Sequence, residues 1–201
     1  MASVVVPFRG TDPKRRLDPL PEPARLRLAT AMAADVIEAA AALGPVFVVA
    51  PREPPLPDGL DHEVTWVPDP RRGQGAAVRA GLDAALNAAA GAPFLVVNAD
   101  LPCVTPRDLL ALAGAVPDDG LAVAAAPDGT TNALALAAER LFEPCYGPGS
   151  AGRFAALGPS RLVDVPNLAD DVDTLADLER LAPKLGPRTR RVWASRPAEA
   201  A

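Results

Sequence analysis

Histidine is nearly missing from this chain. The one histidine among 201 residues, His62, lies in the loop-like stretch PDGLDHEV. A lone loop imidazole reads as a surface residue, so chemistry built on a histidine base or a histidine-bound zinc is not expected. Cysteine occurs twice, at Cys103 and Cys145, with no Cys-x-x-Cys spacing. That excludes a disulfide framework, and reduced thiols in a cytoplasm are the expectation. An excess of positive charge is also absent. The formal net charge of −5 argues against a general nucleic-acid binder, which carries a basic face. No apolar run approaches the ~20 residues of a membrane span, so no membrane partner is expected. The start MASVVVPFRG lacks the basic segment and long apolar stretch of a secretory signal.

What is present points to a folded α/β chain. Hydrophobic residues make up 49%, and this length suits one domain with a sizeable core. Short apolar runs at 4–6, 46–50, 64–67, 94–97, 121–126 and 133–137 read as strands. Residues 161–165 alternate like another. Between them, residues 23–43, 76–90, 106–115 and 174–181 read as helices, and 151–157 as a short one. Pro23 suits a first helical turn, Gly44-Pro45 a stop, and Thr105 with Asp108 an N-terminal cap. Residues 186–201 read as a frayed tail. Strands alternating with helices predict a mostly parallel sheet, whose ligands lie outside the carboxyl ends of the strands.

Several polar stretches fall at such ends. Phe8-Arg9-Gly10-Thr11-Asp12-Pro13-Lys14-Arg15-Arg16-Leu17 crowds four cations into eight residues, a charge density suited to a triphosphate or to a solvated loop. It is not a Walker loop, because GxxxxGK[ST] is absent. Gly73-Gln74-Gly75 precedes a helix. Its glycines let backbone N–H groups approach an anion, and Gln74 could read a base edge. In Asn98-Ala99-Asp100-Leu101-Pro102 an acid ends a buried strand, a position suited to an oxygen ligand for Mg²⁺ or to stabilising its own turn. Asp128-Gly129-Thr130-Thr131-Asn132 is a polar turn. Tyr146-Gly147-Pro148-Gly149-Ser150 opens a helix with Arg153 nearby. Asp170, Asp171 and Asp173 are mutually repulsive, and a divalent cation shared with Asp100 would relieve them.

Taken in order, VVVPFRGTDPKRRL, NADLPCVTPRDL, DGTTNALAL, YGPGSAGRF and DDVDTLADL resemble the guanylyltransferases of deazaflavin coenzyme F420 biosynthesis. This is the 2-phospho-L-lactate guanylyltransferase family, with its phosphoenolpyruvate-using branch. The resemblance spans roughly residues 4–181. It implies a single Rossmann-like nucleotidyltransferase domain over residues 1–185, with a mostly parallel mixed sheet flanked by helices. It also implies transfer of GMP from GTP to a small phosphorylated carboxylic acid. The family's first-loop Lys and Arg match Lys14 and Arg16, and its metal acids match Asp100 and Asp173, with Asp171 the other acid of that pattern. Its acceptor-binding residues match Thr131, Gly147 and Ser150. Arg9 stands where the family often has Lys, Ala99 where it has Gly, and Tyr146 where it has Phe. Gly73-Gln74-Gly75 replaces a common Asn. Arg9, Gly73, Gln74 and Gly75 complete the nucleotide-binding set, and Mg²⁺ is the implied cofactor. A molybdopterin-type nucleotidyltransferase and a nucleotide-binding homologue without turnover stay open as alternatives. The acceptor's identity and the oligomeric state, a homodimer among the options, are left undecided.

Overall fold

Runs of consecutive valines build the centre of the molecule. The computed structural model describes residues 1–9, 17, 20–53 and 64–195. Within them a seven-stranded sheet runs in the order β3-β2-β1-β4-β6-β5-β7. Its strands are β1 (Ser3–Pro7), β2 (Val46–Ala50), β3 (Val64–Pro68), β4 (Phe94–Val97), β5 (Leu121–Ala125), β6 (Thr131–Leu136) and β7 (Ser160–Leu162). Neighbours pair in parallel except around β6, which is antiparallel to both β4 and β5. The α/β expectation therefore holds, with one reversed strand in a mostly parallel sheet. The chain works outward from β1 through β2 to β3, then crosses to the other side of β1 with β4. That reversal opens the crevice at the carboxyl edge where ligands bind in such sheets.

Both faces of the central strands are buried, which is why they read as unbroken apolar runs. Val4 and Val6 face one layer, with Ile37 of α1 (Glu22–Ala41), Leu109 of α3 (Pro106–Gly114) and Leu168 of α5 (Pro166–Ala169). Val5 faces the other, with Val78 and Leu82 of α2 (Gln74–Asn87) and Phe154 of α4 (Ser150–Ala155). Helix α2 comes close to the sheet through Gly81, where an added Cβ would lie 2.4 Å from Val5 Cγ1. Helix α2 starts and ends earlier than the expected 76–90, and β7 covers only the beginning of the expected 161–165. After β7 the Val163 N–H still donates to the Val123 carbonyl at 2.9 Å before the chain turns into α5. None of the helices among the described residues is long and apolar enough to cross a membrane.

The expected frayed tail over 186–201 needs correction up to residue 195, and residues 196–201 lie outside the described residues. Residues Pro187–Ala194 form helix α7, and Thr189 and Trp193 are buried. Leu28 and Met32 of α1, Leu178 and Leu181 of α6 (Leu175–Leu181), Leu185 and Trp193 make a third apolar cluster. The docking is fixed by a buried acid. Asp35 of α1 accepts the Arg188 N–H at 3.0 Å and the Thr189 N–H at 2.8 Å, capping α7 from outside its own chain segment. Glu38 pairs with Arg188 beside it. Gly186 leaves the room for this, since a Cβ there would lie 2.4 Å from Asp35 Cγ. A cap supplied from 153 residues away is invisible to local pattern reading, because the Ser, Thr, Asp or Asn that normally announces a helix start is not adjacent. Replacing Asp35 by Ala strands one buried and one part-buried N–H group, so it should cost about 2 kcal/mol, read as a lowered urea midpoint. An unchanged midpoint would show that α7 docks without this cap.

Candidate active site

The strand β4 carries its apolar run to the carboxyl edge and there turns polar, through Asn98-Ala99-Asp100. The start of α3 fixes this turn. Thr105 and Asp108 form a reciprocal capping box there, and the Asn167 amide of α5 donates to Asp108 Oδ2 at 3.0 Å. The Val104 N–H donates to the Leu101 carbonyl at 3.1 Å, closing the turn between Asp100 and α3.

Three carboxylates meet there. One oxygen each from Asp100, Asp171 and Asp173 lies within 4.8 Å of the others. They come together because the Val172 N–H donates to the Asp100 carbonyl at 3.0 Å, which lays the 170–173 segment across the end of β4. Residues alternate sides along that segment, so Asp171 and Asp173 flank the buried Val172. Asp170 is not part of the group. Its carboxylate bonds to Arg180 at 2.6 Å and lies 3.8 Å from Lys184. The hydrogen bond and charge of Asp170 hold the Arg180 guanidinium above its usual range. Asp177 caps α6 in a second reciprocal box with Thr174. Burial works against ionisation of Asp177. Hydrogen bonds from Thr174, from the Asp173 N–H and from Arg180 outweigh it and hold its carboxyl below the usual range. The acid cluster read in the sequence thus divides, with Asp170 tying the segment to α6 and Asp171 and Asp173 turned to Asp100. Hard, anionic oxygens of this kind fit a divalent cation such as Mg²⁺. Like charges this close repel by about 3 kcal/mol per pair at an effective dielectric of 20.

A second group adjoins the first because β6 runs antiparallel. Its first residues lie at the same edge as the last residues of β4. Thr131 Oγ1 and Ser150 Oγ are 2.9 Å apart, both side chains buried. Ser150 opens α4 after Gly147 (φ 110°) and Gly149 (φ 69°), backbone conformations that favour glycine. Arg153 does not face outward as a free cation. Its guanidinium folds back on the carbonyls of Pro148 at 2.6 Å and Cys145 at 2.7 Å and closes the loop. Tyr146 packs against both Phe142 and Phe154, with ring centroids 6.2 and 5.2 Å away, so the loop keeps its aromatic anchor. The thiol of Cys103, pushed up to about 11 first by burial and then by Asp170, stays protonated at neutral pH.

The third group is the start of α2. Gly73 has a φ of 90°, and Gln74 is the first helical residue. Its Nε2 donates to Asn98 Oδ1 at 2.9 Å, so this end of the amide points into the protein. Gly75 meets Pro144, where a Cβ would come within 2.5 Å. Beside them is a cleft of about 620 Å³ lined by Arg72, Gln74, Gly75, Arg79 and Tyr146, among others. Arg9 lies exposed just past β1. Lys14, Arg16 and His62 fall outside the described residues. Two further side chains tie these groups together, with no role assigned to either from the sequence. Asn98 joins Gln74 to the Thr131 carbonyl, and Asn132 donates from Nδ2 to the Ala169 carbonyl at 3.3 Å and to Asp171 Oδ1 at 3.5 Å. The available signal was an amide just past the end of β4 and another at the start of β6, where an apolar strand has no packing use for one.

Comparison with known proteins shows what the chain is similar to. The MobA-like NTP transferase domain family matches residues 25–154. A phosphoenolpyruvate guanylyltransferase of Sphaerobacter thermophilus is 36% identical over 152 residues, covering 73% of this chain and 73% of that protein. A 2-phospho-L-lactate guanylyltransferase of Natrialba magadii is 36% identical over 190 residues, covering 87% of this chain and 80% of the relative. Among solved structures, the 4-diphosphocytidyl-2C-methyl-D-erythritol synthase of Anaerococcus prevotii superposes with a TM-score of 0.60 at 11% identity, covering 90% of this chain and 95% of the other.

The depressed Asp177 carboxyl has a pH consequence. A group whose folded pKa lies below its unfolded value contributes stability that is present at neutral pH and lost as pH falls through the folded value. Wild type and Asp177→Asn should therefore differ in urea midpoint near pH 6 and converge as the pH is lowered. Parallel curves across the acid range would contradict this.

Proposed function

The chain belongs to the MobA-like NTP transferases, and among them to the phosphoenolpyruvate and 2-phospho-L-lactate guanylyltransferase family, and on that premise we propose that it moves GMP from GTP to phosphoenolpyruvate or 2-phospho-L-lactate. With phosphoenolpyruvate the product is enolpyruvyl-diphospho-guanosine. The observation that carries this reading is the approach of Asp100, Asp171 and Asp173 to within 4.8 Å beside the Thr131–Ser150 pair.

An oxygen of the acceptor phosphate attacks the α-phosphorus of GTP. One P–O bond forms, the bond to the bridging oxygen of the β-phosphate breaks, and pyrophosphate leaves with the electron pair. A phosphate monoester is already ionised near neutral pH, so no general base is required. A chain whose only histidine is His62 suits that chemistry. Thr131, Gly147 and Ser150 hold the acceptor with its phosphate in line. Gly73, Gln74 and Gly75, with Arg9, receive the nucleotide. Lys14 and Arg16 neutralise charge that builds on the α-phosphate and the departing pyrophosphate. Asp100 and Asp173, with Asp171, would hold Mg²⁺. When bound, that ion supplies charge neutralisation for the triphosphate and a fixed frame for its oxygens. The rate enhancement then comes from positioning and electrostatic stabilisation. Both cysteines are free thiols, in keeping with work in the cytoplasm.

The test is pyrophosphate release with GTP, each acceptor and Mg²⁺, followed by product mass. Wild type should turn over with GTP, and Asp100→Ala and Asp173→Asn should each lower kcat by about 10²-fold or more, the scale of a lost electrostatic contact. Full transfer by Asp100→Ala at saturating Mg²⁺ would overturn the metal assignment. Nucleotide binding without pyrophosphate release from any pair would overturn the enzyme reading.

A further inference from the structure

Asn98 stands two residues before Asp100, at the point where the nucleotide and acceptor groups touch. Its carboxamide is engaged at both ends. Oδ1 accepts from Gln74 Nε2 at 2.9 Å, and Nδ2 donates to the Thr131 carbonyl at 3.2 Å. Its own N–H donates to the Asn132 carbonyl at 3.0 Å, completing the ladder between β4 and β6. The pairing of β5 with β6 shifts register at Ala124/Ala125, and it is at this irregular end that the Thr131 carbonyl takes its hydrogen bond from a side chain. Thr131 Oγ1 in turn meets Ser150 Oγ at 2.9 Å. One chain of hydrogen bonds thus runs from the first residue of α2, across the end of β4 and the start of β6, to the first residue of α4.

Few side chains can occupy the middle of such a chain. It needs a donor and an acceptor on one short, planar group. Aspartate would set a carboxylate oxygen against the Thr131 carbonyl. Leucine has similar bulk and makes neither bond. Serine is too short to reach both partners. We propose that Asn98 is a positioning residue that sets the acceptor-binding hydroxyls of Thr131 and Ser150 relative to the nucleotide-binding start of α2. The inference rests on the reading of Thr131 and Ser150 as acceptor-binding. The Asn98 side chain bonds to Gln74 and to the Thr131 carbonyl, and Asn98 is not one of the three clustered acids. Its loss acts through the Thr131 peptide and is felt first where the acceptor docks.

Steady-state kinetics with GTP, phosphoenolpyruvate and Mg²⁺ separates this from general support of the fold. Asn98→Leu and Asn98→Ser should each raise the acceptor KM about tenfold, the scale of one lost hydrogen bond, with the GTP KM changed less than threefold and the Mg²⁺ dependence of the rate unmoved. The serine variant removes the bonds without adding an apolar group, so the readout survives if the leucine variant folds poorly. Gln74→Leu combined with Asn98→Leu should do no more to the acceptor KM than the larger single change, because both break the same chain. Ser150→Ala is the control for the underlying reading. A raised acceptor KM in Ser150→Ala with an unchanged one in both Asn98 variants overturns the role of Asn98 alone. An unchanged acceptor KM in Ser150→Ala overturns the acceptor assignment and the inference with it. Equal rises in both substrate KM values would mark Asn98 as a structural residue and also overturn the proposal.

Discussion

One backbone hydrogen bond, from the Val172 N–H to the Asp100 carbonyl at 3.0 Å, joins the two halves of the site. It lays the segment between α5 and α6 across the end of β4, and it sets Asp171 and Asp173 beside Asp100 rather than out in solvent. Closing three carboxylates on one another is unfavourable by itself, so the segment must be fixed from outside. It is held on one side by Arg180 and Lys184 through Asp170 and on the other by the Thr174–Asp177 box. The C-terminal helix adds to this. The Gly186 N–H donates to the Pro102 carbonyl at 2.7 Å, two residues past Asp100, so the docking of α7 through Asp35 also steadies the loop that carries the first acid.

The reversed strand explains why the acids have the hydroxyl pair for a neighbour. In a purely parallel sheet, the start of the strand beside β4 would lie at the opposite edge. Because β6 is antiparallel, Thr131 and Asn132 begin it at the carboxyl edge, next to Asn98 and Asp100. Asn132 then reaches Asp171 while Asn98 reaches Gln74. Two amides, Asn98 both accepting and donating and Asn132 donating, stitch the three groups of the site into one network without adding charge to a region already rich in carboxylates.

Much of the fold could be read from local pattern, for identifiable reasons. Strands buried on both faces announce themselves as valine runs, and the α3 cap is spelled out by Thr105 and Asp108. Helix α7 was hidden because its cap, Asp35, comes from α1. The end of β7 was misjudged because Val163 continues the pairing for one hydrogen bond beyond the strand. At the site, the residue types and their order pointed to Asp100, Asp171 and Asp173, and the structure brings these three together. That Asp170 would be drawn off by Arg180 depends on a helix folding back, and a run of acids does not reveal which member is paired. The inward contacts of Gln74 and Arg153 were hidden for a similar reason. Amides and guanidinium groups look alike in sequence whether they face a ligand or tie down a loop, and here both bond to the protein itself.

Whether Asp100, Asp171 and Asp173 share one cation at the carboxyl edge of the sheet decides the proposed chemistry. Anomalous diffraction from crystals grown with Mn²⁺ in place of Mg²⁺ addresses it most directly. A manganese peak is expected at bonding distance from the carboxylates of Asp100 and Asp173, adjacent to the Thr131–Ser150 pair. Carboxylates turned apart, with no peak between them, would contradict a shared site.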